Sequence, residues 1–310
     1  MRFCLLEGNN CISSANLREI SQSVRREIYD GLRTSYAAVS RVVSTEASFT
    51  APRSDACFKG FQLVEIPEIM EKKMQASVGA ALMSRWFSSP RFVLPENWRK
   101  GDKNFLSVPT QHVDLSIVKM AWVNRFTRAN VAMNTLESSR LTTLPAAVEL
   151  RRVLQRQHFL TGNKENIGVS SNALILHETA HLNSIGVPYG GGVDPLDCAL
   201  AAFTMHVAVG GSVEPLGGNE MKAGKTHKML IEKLHFYVRD SYDFNSEDEP
   251  LGYWGREGAS ASVFKLGMSF VENRQFRQWR DRHGRGGDFI IFSDVYTKNL
   301  PKSIKMENMI

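Results

Sequence analysis

The sequence predicts an α+β protein, with a helical N-terminal half followed by a small antiparallel sheet region and flanking helices. Three observations carry this. Through most of the first 160 residues, apolar side chains recur every three or four positions, the spacing of one helix face. From residue 205 the pattern turns to alternation, with Leu234, Phe236 and Val238 on one face and His235, Tyr237 and Arg239 on the other. Glycine runs, at 190–192 and 210–211, punctuate only this second half.

The chain divides on paper into residues 1–60, 61–165 and 166–310. Residues 14–43 read as one long amphipathic helix on Leu17, Ile20, Val24, Ile28, Leu32, Tyr36, Val39 and Val43, and a polar stretch with Pro52 then reads as a linker. Residues 68–87, 113–136 and 146–160 read as further helices, separated by Pro90, Pro95, Gly101 and Pro109. In the last region, residues 170–186 and 196–203 read as helices, 205–209 and 230–238 as strands, 264–279 as a helix and 288–295 as an apolar strand.

Composition bounds the function. The 310 residues are 43% hydrophobic and 23% charged, values of a globular chain with ample core. Net charge is +6, and the basic groups at 151–156 and 274–285 lack the interleaved aromatics of a stacking platform, which argues against nucleic acid. No run approaches the ~18 apolar residues of a membrane span. The N-terminus reads as lacking a cleaved leader, since Glu7 and Asn9-Asn10 interrupt any apolar core, so synthesis in the cytoplasm is expected. Cys4, Cys11, Cys57 and Cys198 show no CxxC spacing and read as free thiols, with a disulfide among the first three as the alternative.

The sharpest chemical signal is His177-Glu178-Thr179-Ala180-His181. On a helix, His177 and His181 project from one face and can share a zinc ion, with Glu178 placed as general base for its bound water. Ser170, Ser171 and Asn172 offer an N-cap and Gly186 a stop. Zinc then needs a third ligand, and Asp194, Asp197, His206, Glu214 and Glu220 all stand as candidates. The competing reading is a half-exposed strand carrying Thr179, His181 and Asn183 in alternation.

Two other segments carry chemistry. Asp240, Tyr242 and Asp243 stand at a strand end, where two carboxylates and a phenol suit Mg²⁺ or the activation of water, or else a simple Asx turn. Residues 276–288 run a basic helix end into a glycine-rich turn, an anion cradle of arginines and backbone N–H groups or an ordinary helix C-terminus.

Several landmarks resemble one uncharacterised bacterial domain family: Ile66-Pro67, Arg85-Trp86-Phe87, His112-Val113-Asp114 with residues 117–120, residues 237–254, and the segment from Trp279 to Phe289. The resemblance spans residues 60–300. It implies association with spike and PAAR-type components of the type VI secretion system, as a cargo toxin delivered into a target cell and paired with an immunity protein. The strand running into Asp240, Tyr242 and Asp243 is also similar to the colicin M-type toxin domain. That likeness implies a Mg²⁺-dependent phosphodiesterase acting on lipid-linked envelope precursor. The His-Arg pair of that family is replaced here by Pro250-Leu251, so Arg256, or His283 with Arg285, would substitute. Three functions follow as expectations: a phosphodiesterase centred on Asp240 and Asp243, a zinc peptidase centred on His177 and His181, and a non-enzymatic adaptor docking through residues 14–43.

Overall fold

A computed structural model of the chain describes residues 57–58, 61–192, 194–217, 226–246, 249–260 and 268–306. The expected helix at 14–43, Cys4, Cys11 and Glu220 lie outside these residues. Ala56–Ile310 forms one compact unit, and the boundary expected at 165 falls inside it.

The architecture is α+β. In chain order the elements are β1 (Cys57–Phe58), β2 (Phe61–Gln62), α1 (Ile66–Met74), α2 (Ser77–Ser88), α3 (Glu96–Lys100), β3 (Val113–Asp114), α4 (Met120–Val123), α5 (Thr127–Thr135), α6 (Leu144–Arg156) and β4 (Glu165–Ile167). There follow α7 (Ala173–Thr179), β5 (His181–Val187), α8 (Pro195–Leu200), β6 (Phe203–Pro215), β7 (His227–Tyr242), β8 (Pro250–Gly255), β9 (Gly258–Ser260), β10 (Ser269–Glu272), α9 (Asn273–His283), β11 (Phe289–Phe292) and β12 (Tyr296–Met306).

The sheet is larger than the sequence suggests. Seven strands run in the order β3-β11-β7-β6-β4, with β12 also on β7 and β5 also on β6. All pairs are antiparallel except β3 with β11. One edge of β7 holds two partners in succession, β12 along residues 229–236 and β11 along 239–242. Its other edge pairs with β6 from Pro215↔His227 to Thr204↔Arg239.

The two faces of this sheet are both buried. Met205, Val207 and Val209 of β6, with Leu234, Phe236 and Val238 of β7, join the main core under Leu82 and Trp86 of α2, Leu150 and Leu154 of α6 and Phe276 of α9. On the opposite face, Ala208, Tyr237, Ile290 and Phe292 pack with Phe105, Val108, Ala173, Leu176 and Ala180. Alternation along β7 therefore separates two cores, as expected for a strand covered on both sides.

Several expected boundaries are corrected by tertiary contacts. The helix expected over 68–87 is two helices, broken at Gln75 in the left-handed region (φ 53°), which lets Ile69, Met70, Leu82 and Trp86 all reach one core. Residues 113–136 begin as β3 instead of helix. Asp114 accepts from the backbone N–H groups of Ser116 and Ile117, both at 2.8 Å, and this Asx turn ends the strand before α4. The helix expected to reach Phe203 stops at Leu200, and Phe203 begins β6. Gly210-Gly211 does not end that strand but marks a shift of its register against β7. Residues 269–272, expected as helix, pair with β8, and the helix starts only at Asn273.

Candidate metal centre

The helix expected across the His177–His181 segment is cut short. Asn172 caps α7, its side-chain oxygen accepting from Leu174 N at 2.9 Å and Ile175 N at 3.4 Å. After one further turn the backbone leaves the helix at Ala180, whose carbonyl accepts from Val209 N of β6 at 3.0 Å. The sheet thus captures the chain before the helical spacing is complete. His177 ends on a helix and His181 opens β5, so both expected conformations occur, one for each histidine.

The two imidazoles nevertheless converge, and a third joins them. His206 lies on β6, opposite Ser184 of β5 and Tyr237 of β7. The three ring centroids are 5.1, 5.1 and 5.2 Å apart, close to an equilateral triangle. One nitrogen from each lies within 4.8 Å of the others, and this is the sole group of three or more potential metal ligands among the described residues. His206 Nδ1 is 3.1 Å from His181 Nε2. Two ligands bound tetrahedrally at zinc–nitrogen distances of about 2.0–2.1 Å would be about 3.3 Å apart, so the spacing suits an ion.

Burial explains the electrostatics. His181 is 9% exposed and His206 6%. Burial first, then the neighbouring histidines, holds His206 well below the usual imidazole range. Burial likewise holds His177 well below it, helped by His181 and Arg239. Neutral imidazoles are the metal-binding form. His206 Nε2 is buried without a hydrogen-bond partner, and its Nδ1 meets only another imidazole. Such a group costs free energy unless something completes it.

Neighbouring side chains occupy the outer nitrogens. Tyr237 Oη lies 3.0 Å from His177 Nδ1, and the Tyr237 ring stacks on His206 with an interplanar angle of 10°. Glu149 Oε1, from α6, lies 3.5 Å from His181 Nδ1. The facing His181, with Arg152 adding to it, holds the Glu149 carboxyl far below its ordinary value. Neither Glu149 nor Tyr237 stood out in the sequence. The alternation that puts Tyr237 on the face opposite Phe236 was the one usable signal.

The remaining expected site residues fall elsewhere. Glu178 is buried, and both its oxygens are taken: Oε1 accepts from Phe105 N at 3.0 Å and Oε2 from Arg156 at 3.0 Å. Of the candidate third ligands, Asp194 and Asp197 bind Arg128, at 2.6 and 2.7 Å, and Glu214 lies 3.7 Å from Lys228. Asp240 is half-buried on β7, opposite Ile291. Tyr242 stacks on Phe289, and its hydroxyl points at the Met83 sulfur, 3.6 Å away. Asp243 makes an Asx turn, accepting from Asn245 N at 3.1 Å, and pairs with Arg99 at 3.4 Å. Burial pushes the Asp243 carboxyl up from its ordinary value. Arg256 is exposed in the turn between β8 and β9. His283 closes α9, stacked on Trp279, and lines an open groove with Arg285, Glu68 and Glu71.

No helix of the described residues is long and apolar enough to cross a membrane. No curated protein and no solved structure matches the chain. A family model does match, over residues 61–270 and 265–308, and the description of that family mentions neither secretion nor a colicin M-like toxin. Those two segments include the whole histidine cluster and all of the seven-stranded sheet, and the chain belongs to the family of unknown function DUF6402.

Proposed function

We propose that the chain is a metal-dependent hydrolase whose centre is a zinc ion held by His177, His181 and His206. The carrying observation is the convergence of three imidazoles from two strands and a helix end, with one candidate ligand nitrogen of each within 4.8 Å of the others. Structural zinc sites close with four protein ligands, whereas catalytic sites keep three and leave a position for water. Three are found among the described residues. A zinc ion there would lower the pKa of bound water to about 7 and supply a nucleophile at neutral pH.

The peptidase version of this reading loses its expected base, because Glu178 is committed to Arg156 and Phe105. The phosphodiesterase version has weaker geometric support, since Asp243 serves a turn and Tyr242 faces Met83. A secreted toxin acting on the cell envelope, and an adaptor for a secretion spike, rest on the sequence resemblance.

Elemental analysis of the purified chain tests the metal. We expect about one zinc per chain in the wild type and almost none in His206→Ala. A metal-free wild type that takes up no zinc on titration overturns the proposal. Expression in a sensitive bacterium, with and without a periplasmic leader, then tests for an envelope target.

A further inference from the structure

We infer that Glu149 and Tyr237 are positioning residues that fix which nitrogen each of two histidines presents to the metal, an inference that rests on the zinc reading above. His177 Nδ1 faces the Tyr237 hydroxyl at 3.0 Å, and His181 Nδ1 faces Glu149 Oε1 at 3.5 Å. With both Nδ1 atoms engaged on the outside, Nε2 of each ring is the atom left for the ion. His181 Nε2 is also the atom that meets His206, at 3.1 Å.

The two supports differ in kind. Glu149 is itself held by Arg152, which donates Nη2 to Oε1 at 2.7 Å and Nε to Oε2 at 2.9 Å. A chain of contacts thus runs from the surface guanidinium through the carboxylate to His181. A carboxylate accepting from the outer N–H of a ligand histidine fixes its tautomer and raises its basicity. Tyr237 offers a hydroxyl where Glu149 offers a carboxylate, so it orients by a hydrogen bond alone. It touches two ligands, His177 by its hydroxyl and His206 by its ring face.

The test is zinc affinity of the full chain, measured by competition with a chromophoric chelator, for the wild type, Glu149→Gln and Tyr237→Phe. Loss of such a supporting group costs about 10–100-fold in metal affinity. We expect Glu149→Gln in the upper part of that range and Tyr237→Phe near its lower end, with metal-free melting temperatures close to wild type. The ¹⁵N shifts of the wild-type histidines, which need no variant, should report Nε2 coordination with a proton on Nδ1 for His177 and His181. Nδ1 coordination of either overturns the assignment even if a variant fails to fold. Wild-type binding with both variants within twofold of it overturns the positioning inference and leaves the zinc centre standing. Failure of the wild type to bind removes the zinc centre itself.

Discussion

His206 and Tyr237 face each other across β6 and β7 with their rings stacked 5.4 Å apart. The Tyr237 hydroxyl reaches past His206 to the helix-borne His177. A strand, a neighbouring strand and a helix end are joined there through one aromatic side chain, and the packing of the second core is built around it.

The metal-free protein should lose stability on acidification. His177 and His206 have folded-state pKa values below the unfolded value of 6.5. The unfolded chain therefore binds more protons near and below pH 6.5, and stability falls as pH drops through that point. Urea midpoints should decrease from pH 7.5 to pH 5.5, and a flat profile would contradict the burial of both rings. Excess zinc at pH 7.5 should raise the melting temperature, by about 2.7 kcal/mol of stabilisation at one hundred times Kd.

Replacing Asp288 with Asn should be strongly destabilising. Its buried carboxylate accepts from Trp86 Nε1 at 2.9 Å, Asn245 Nδ2 at 2.7 Å, Leu94 N at 3.1 Å and Arg280 at 3.1 Å. Arg280 is almost fully buried, so the change leaves its charge uncompensated, at a cost on the order of 3–5 kcal/mol. Denaturant unfolding measures this directly, and a loss below about 1 kcal/mol would show that the network is dispensable.

Asp243→Asn should be tolerated. The amide oxygen keeps the acceptor for Asn245 N, and the burial that raises the carboxyl outweighs its pairing with Arg99. We expect stability within about 1 kcal/mol of wild type and unchanged activity in whichever hydrolysis or toxicity assay responds. A native fold with abolished activity would instead favour the phosphodiesterase reading.

Cys198 should resist alkylation. Burial, then the charges of Asp197 and Asp194, pushes its thiol up to about 12, so little thiolate exists at pH 8. Peptide-resolved mass spectrometry after iodoacetamide treatment should find it unmodified until denaturant is added.

Much of the fold was legible, and the physical reason is local. The helical periods before residue 160, the alternation around Phe236 and the apolar run 289–292 each follow from which face a side chain must bury. Elements set by distant partners were not legible: β3 forms because β11 lies beside it, and β10 because β8 does. The site divides the same way. His177 and His181 announce themselves by spacing, but His206 was one of five candidates because its selection depends on how β5 aligns with β6. That alignment includes a register shift between His181 and Asn183, which no short stretch of sequence encodes.

The double occupancy of one edge of β7 gives the histidine cluster an unusual inflexibility. Sliding β7 by a single residue would break its ladders with β6, β11 and β12 together. It would also turn Tyr237 into the main core and Phe236 toward the histidines. Small sliding adjustments of the sheet are therefore closed to this centre, and retuning by substitution is open chiefly in what lies over it. The short α7, which itself carries His177, and the turn carrying Phe105 lie outside these ladders, so substitutions there leave the strand registers intact.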